Sequence, residues 1–240
     1  MATLRMTETT ARAIWTSTSF ARTRGSEASR RDPSHWLALV ALAGFAAFTI
    51  AVAALHSVQP HLHPVTDAIS YYIHGANGWW LTVALVGLGA GSLALVASLS
   101  LVMGSRSALG QCILMLWGGS ILVCAALPAD PIEFREMAPS TVGFIHGIAA
   151  MIAFAALPLA ALILTPVLRP RVGEALLSSF AVLSVACMLS VFLWPVLSAN
   201  RPPFGLGFTE RLFLGFYVGW LATVAMTLAM PGWTRTSPLR

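Results

Sequence analysis

Six apolar runs free of Arg, Asp and Glu limit what this chain can fold into: Trp36–Leu55, Trp79–Met103, Ala108–Leu127, Thr141–Leu168, Ala175–Leu197 and Leu212–Met230. The shortest, Leu212–Met230, holds 19 residues. About 20 residues cross the ~30 Å hydrocarbon layer of a bilayer as a helix. Backbone polar groups in lipid must be satisfied by the segment itself or by a closed barrel. The runs do not alternate and are about twice a barrel strand's length, which excludes strands. The expected fold is all-α, an integral membrane bundle of six transmembrane helices. Composition closes the soluble alternative. Only 10% of residues are charged and 57% are hydrophobic, whereas soluble domains carry roughly 25% charge because their surface must be wetted.

The flanks divide the chain into three parts. Residues 1–33 are polar, Ser/Thr-rich and hold six Arg, so they read as a disordered tail. Residues 34–231 form the six-helix membrane domain, and 232–240 a second short tail. The first apolar run starts late and is membrane-length, unlike a cleavable signal core. Arg accumulates on cytoplasmic loops. The N-terminal tail, Arg106, Arg169, Arg171, Arg235 and Arg240 fall on one side, against Arg135, Arg201 and Arg211 on the other. Both termini are therefore expected in the cytoplasm. The cytoplasmic links are then short and the outer links long, and long links can fold over helix ends and enclose a cavity.

Several function classes fall away. All basic residues are Arg, so a lysine Schiff base or nucleophile is excluded. The net charge of +5 resides mostly in the tail and carries no implication of nucleic-acid binding. Cys112, Cys124 and Cys187 lie inside apolar runs without paired spacing, as small core residues do.

The polar residues of the outer links and adjoining helix ends supply a candidate pocket of Asp67, Ser70, Asp130, His146, Glu210 and Arg211. His146 lies in the stretch Leu127–Gly147, beyond its acidic residues and just inside a membrane run, where ionisable groups are costly and usually serve a purpose. Arg there could take a phosphate, and His or Asp could move a proton. Arg211 has Asp67 or Asp130 as candidate neutralising partners. Ser70, His146 and Asp130 or Asp67 make a Ser/His/Asp set by type, without a nucleophile-elbow motif. His56, His61 and His63 form H-x4-H-x-H, a candidate zinc or copper set, and His56 with His146 is a candidate haem pair. For Glu133, Arg135, Glu136 and Arg201 simple hydration is the stronger explanation. Gly87-x-x-x-Gly91, Gly143-x-x-x-Gly147 and Gly215-x-x-x-Gly219 have the spacing that lets membrane helices approach closely.

The order Val65-Thr66-Asp67-Ala68-Ile69-Ser70, Leu127-Pro128-Ala129-Asp130-Pro131, then His146, then Gly207-Phe208-Thr209-Glu210-Arg211 resembles a bacterial six-helix membrane family, the domain of unknown function numbered 998. The resemblance spans residues 36 to 230 and implies a multi-pass protein of a bacterial cytoplasmic membrane. It implies no activity and no cofactor. The layout is more distantly similar to the Frag1/DRAM group, eukaryotic membrane proteins linked to lipid handling. The expected function is an extracytoplasmic pocket binding a membrane lipid or other amphiphile, with transport as the related role. The alternatives are a membrane enzyme acting on a lipid at that face and an accessory structural subunit.

Overall fold

The computed structural model describes residues 32–134, 136–168, 174–197 and 205–230. Of the tail read at residues 1–33, residues 1–31 lie outside them, as do the C-terminal residues 231–240 and Arg135, Arg169, Arg171 and Arg201, whereas Asp32 and Pro33 are ordered at the start of the first helix. Among the described residues the regular structure is helical throughout. The long helices are α1 (Pro33–Val58), α2 (Trp79–Met103), α3 (Ala108–Ala126), α4 (Thr141–Leu168), α5 (Glu174–Leu197) and α6 (Leu206–Ala229). Five are long and apolar enough to cross a membrane, and α5 carries a shorter apolar helix at Ala175–Ser190.

Helix ends follow local chemistry rather than the edges of the apolar runs. Asp32 caps α1, its carboxylate accepting from the Ser34 amide at 3.0 Å and the Ser34 hydroxyl at 2.8 Å, with Pro33 in the first turn. Pro tolerates that position because the missing amide would have no helical partner there. The sixth helix starts at Leu206, six residues ahead of its apolar run, so Glu210 and Arg211 stand on the helix and not in a link.

Successive helices pack side by side, and α1 also packs on α6, so the six close into a ring. The centre is filled by Trp117, Tyr217 and Trp220, all fully buried. Each spends its polar atom inside the ring. Trp117 Nε1 donates to Ser92 Oγ at 3.0 Å, Tyr217 Oη to the Phe154 carbonyl at 2.7 Å, and Trp220 Nε1 to Thr165 Oγ1 at 3.0 Å. The periphery is apolar too: Ile50 is 69% and Leu109 65% exposed. Helices apolar all round gain nothing from water on their outer faces; hydrocarbon is the solvent that fits them.

The glycine motifs divide by environment. An added Cβ on Gly44 would overlap the Gly87 carbonyl, and one on Gly91 would lie 3.1 Å from the Ala41 carbonyl. Helices α1 and α2 thus cross backbone to backbone, as the Gly87-x-x-x-Gly91 spacing implies. The other two motifs do not serve that purpose. A Cβ on Gly143 would overlap the Asp130 carboxylate, one on Gly219 would press on the Phe180 ring, and Gly147 and Gly215 face open space.

Candidate functional site

The candidate polar side chains gather at one end of the ring, around the link between α1 and α2. A 3-10 turn over Ile69–His74 organises this link. Beneath it Leu55, Leu62, Ile69, Tyr72 and Leu81 form a small apolar cluster. Gln59, fully buried, follows α1 and donates both amide hydrogens, to the Tyr72 and Ala76 carbonyls, each at 2.8 Å. Gly207 leaves room for the link on α6, since a Cβ there would overlap the Asp67 carbonyl.

Arg211 is the fastener. Its Nε donates to His56 Nε2 at 2.7 Å, Nη1 to the Asp67 and Gly207 carbonyls at 2.9 and 2.8 Å, and Nη2 to Tyr72 Oη at 3.2 Å. The guanidinium therefore joins α1, the link and α6, where the ring closes. His56 Nδ1 lies 2.6 Å from the Val52 carbonyl and must donate to it, so Nε2 is the bare nitrogen that accepts from Arg211. The expected pairing of Arg211 with the Asp67 or Asp130 carboxylate is replaced by this set. Asp67 uses its carboxylate within its own link, accepting from the His63 amide at 2.7 Å and the Thr66 hydroxyl at 3.0 Å.

Asp130 is likewise committed. It accepts from the Ser140 hydroxyl at 2.5 Å and the Ser140 amide at 2.9 Å, while Ser140 Oγ accepts from the Gly143 amide at 3.0 Å. Ser140 thus caps α4 and Asp130 holds the cap. The hydrogen bonds from Ser140, hydroxyl first and amide second, hold the Asp130 carboxyl below its ordinary value of 3.8. A carboxyl lowered in the folded state contributes stability above its unfolded value and loses it as pH falls through the folded one. The difference in thermal stability between the native chain and Asp130→Ala, measured in detergent, should therefore shrink as pH is taken below about 3.8. A gap that stays constant into strong acid would count against this role.

Three of the candidate residues do converge. Ser70, His146 and Glu210 line a cleft of about 590 Å³ between the first halves of α4 and α6, floored by the 3-10 turn. The same three line a smaller hollow of about 50 Å³ that continues inward among Phe48, Leu85 and Ile121. His146 is buried, and its Nδ1 lies 2.7 Å from the Leu127 carbonyl at the end of α3. That carbonyl can only accept, so Nδ1 carries a hydrogen, and in the neutral ring Nε2 is the nitrogen with the lone pair. Glu210 accepts the first amide of the 3-10 turn, Ile69 N, on Oε2 at 2.6 Å, leaving Oε1 unengaged by any described hydrogen bond. Around these lie Phe144, Phe154, Phe213, Ile148 and Met151.

The short motifs of the sequence thus have physical duties. In Asp67-Ala68-Ile69-Ser70, the first residue folds the link and accepts from Arg211, the third donates its amide to Glu210, and the fourth faces the cleft. In Leu127-Pro128-Ala129-Asp130, Leu127 receives His146, Ala129 receives His74 Nε2 at 2.6 Å, and Asp130 holds Ser140, the cap of α4. Asp67, Asp130 and Arg211 do not line the cleft, so the Ser/His/Asp set is not assembled. The metal expectation on His56, His61 and His63 is not met: no three His, Cys, Asp or Glu side chains among the described residues gather in ligating range. Both His56 nitrogens are already engaged, which also removes it as a haem ligand. Tyr72, Gln59 and the three phenylalanines escape a reading based on charge. The one hint is position, since Gln59 lies four residues past an apolar run and Tyr72 two residues past the Asp67–Ser70 motif.

A ring of apolar helices of membrane-crossing length defines a multi-pass membrane protein. Residues 41–227 match the family model described as protein of unknown function (DUF998), and the chain belongs to that family. No curated protein and no solved structure matches the chain.

Proposed function

We propose that the cleft between α4 and α6 binds the polar head and upper chain of a membrane lipid or other amphiphile. The observation that carries this is its lining: Ser70, His146 and Glu210 are the polar side chains in a wall otherwise built of Phe, Ile, Met, Ala and other small or apolar residues. Pockets for amphiphiles are mostly apolar with a few placed polar groups. Phe144 and Ile148, which line it, are also exposed on the periphery, at 56% and 47%, so an acyl chain could enter sideways from the bilayer. The Arg distribution supports placing this end on the extracytoplasmic side of a bacterial cytoplasmic membrane, with both termini inside. A transport role would use the inner hollow as the continuation of the path.

Gly147 provides the test. It lines the cleft, and a Cβ there meets nothing within 4 Å, so a side chain can be added without disturbing the bundle. Gly147→Leu should fill the cleft, abolish lipid retained through purification as read by native mass spectrometry, and keep or raise thermal stability by up to about 1 kcal/mol, since Leu is the better helix former. Full retention in a folded Gly147→Leu protein would remove the cleft as the binding site.

A further inference from the structure

We infer that the cleft selects amphiphiles with an ammonium head over anionic ones. The inference rests on the amphiphile-binding reading above and narrows its ligand. Each polar side chain among the described residues that line the cleft can accept a hydrogen bond: His146 at Nε2 of the neutral ring, because Nδ1 is spent on Leu127; Glu210 at Oε1, because Ile69 N takes only Oε2; and Ser70 at its hydroxyl. No Arg is among the described residues that line it. Among the described residues the nearby guanidinium is Arg211, which directs four N–H bonds to His56, Asp67, Gly207 and Tyr72, away from the cleft. The positive end of α4 is no anion site either, since the Asp130 carboxylate and Ser140 already cover it. A phosphate or carboxylate head would thus meet Glu210, a lone pair and a hydroxyl, with no cationic side chain among the described residues that line the cleft.

A protonated amine fits each of these features. Its N–H groups can be shared between Glu210 and His146, and the charge would lie beside the rings of Phe144, Phe154 and Phe213, whose faces attract cations. The aliphatic body then follows the apolar wall. The ammonium can come from a water-borne long-chain amine or from an aminated lipid headgroup.

The test uses the full chain in a neutral maltoside detergent, with binding read by native mass spectrometry. Dodecylamine, dodecanol and dodecanoate share a chain and differ in head. Dodecylamine should bind at least about ten-fold tighter than the other two. Glu210→Gln, which keeps an oxygen for Ile69 N, should erase that preference and leave dodecanol binding in place. Phe144→Leu, on an exposed ring outside the core, should weaken dodecylamine alone and guards against a misfolded Glu210 variant. Parallel titration with phosphatidylethanolamine and phosphatidylglycerol separates the sources: preference for the first adds the membrane lipid, and indifference between them assigns the site to the free amine. Equal binding of the three dodecyl compounds, or a preference untouched in both variants, overturns the charge selection and leaves the cleft standing. No binding of any of them overturns the cleft reading itself.

Discussion

Arg211→Met should lower the stability of the bundle by about 3–5 kcal/mol, the largest single-residue effect expected here. Four hydrogen bonds leave with the guanidinium, and the substitution strands groups that water at this packed end cannot freely reach. His56 Nε2 and the Asp67 carbonyl lose their donor, and the link loses its tie to α6. The ring is weakest in principle where its first and last helices meet, because no connecting chain holds them. Arg211→Lys should recover little, because one ammonium on a flexible stem cannot reach four acceptors spread over three elements. Thermal unfolding in detergent, followed by circular dichroism, reads both variants. A loss below about 1 kcal/mol, the range of an exposed ion pair, would show that Arg211 is a surface group and not a fastener.

Gly44→Val should come next, at about 3 kcal/mol or more. Its Cβ would enter the Gly87 carbonyl, a backbone atom that cannot turn aside, so α1 and α2 must separate along their whole crossing. Gly215→Ala is the matched comparison. Its surroundings are open, so the substitution should be neutral or stabilising by up to about 1 kcal/mol, through helix propensity alone. Equal loss from the two changes would mean that the α1–α2 crossing is looser than its geometry indicates.

Much of the architecture was legible because hydrophobic length is a property of a stretch and needs no partner. The six runs locate six helices, and their uninterrupted apolar character makes the outside of the bundle as oily as the inside. Helix ends were less legible. The sixth run begins at Leu212 because Glu210 and Arg211 interrupt it, yet the helix begins at Leu206 because both charges find partners on the link. The same blindness applies to the pocket. Ser70, His146, Glu210, Asp67, Asp130 and Arg211 are equally polar on paper. Which of them faces a cleft depends on which are already satisfied, and that is set by carbonyls and amides far away in the chain.

The glycine motifs make the point in apolar form. Gly87-x-x-x-Gly91 and Gly215-x-x-x-Gly219 have the same spacing, but only the first has a backbone against it along both residues. Spacing places small residues on one face; it cannot say what approaches that face.

Composition and run length alone determined that this chain is a bundle of membrane helices with its ionisable groups at the helix ends, because the cost of wetting or burying each residue is local. Only the tertiary structure decided that Arg211 closes the ring, that Asp130 holds the cap of a helix, and that Ser70, His146 and Glu210 share a cleft. Hydrogen bonds are pairwise and short-ranged, so their partners exist only once the chain has brought residues 56, 72 and 211, or 127 and 146, within about 3 Å of one another.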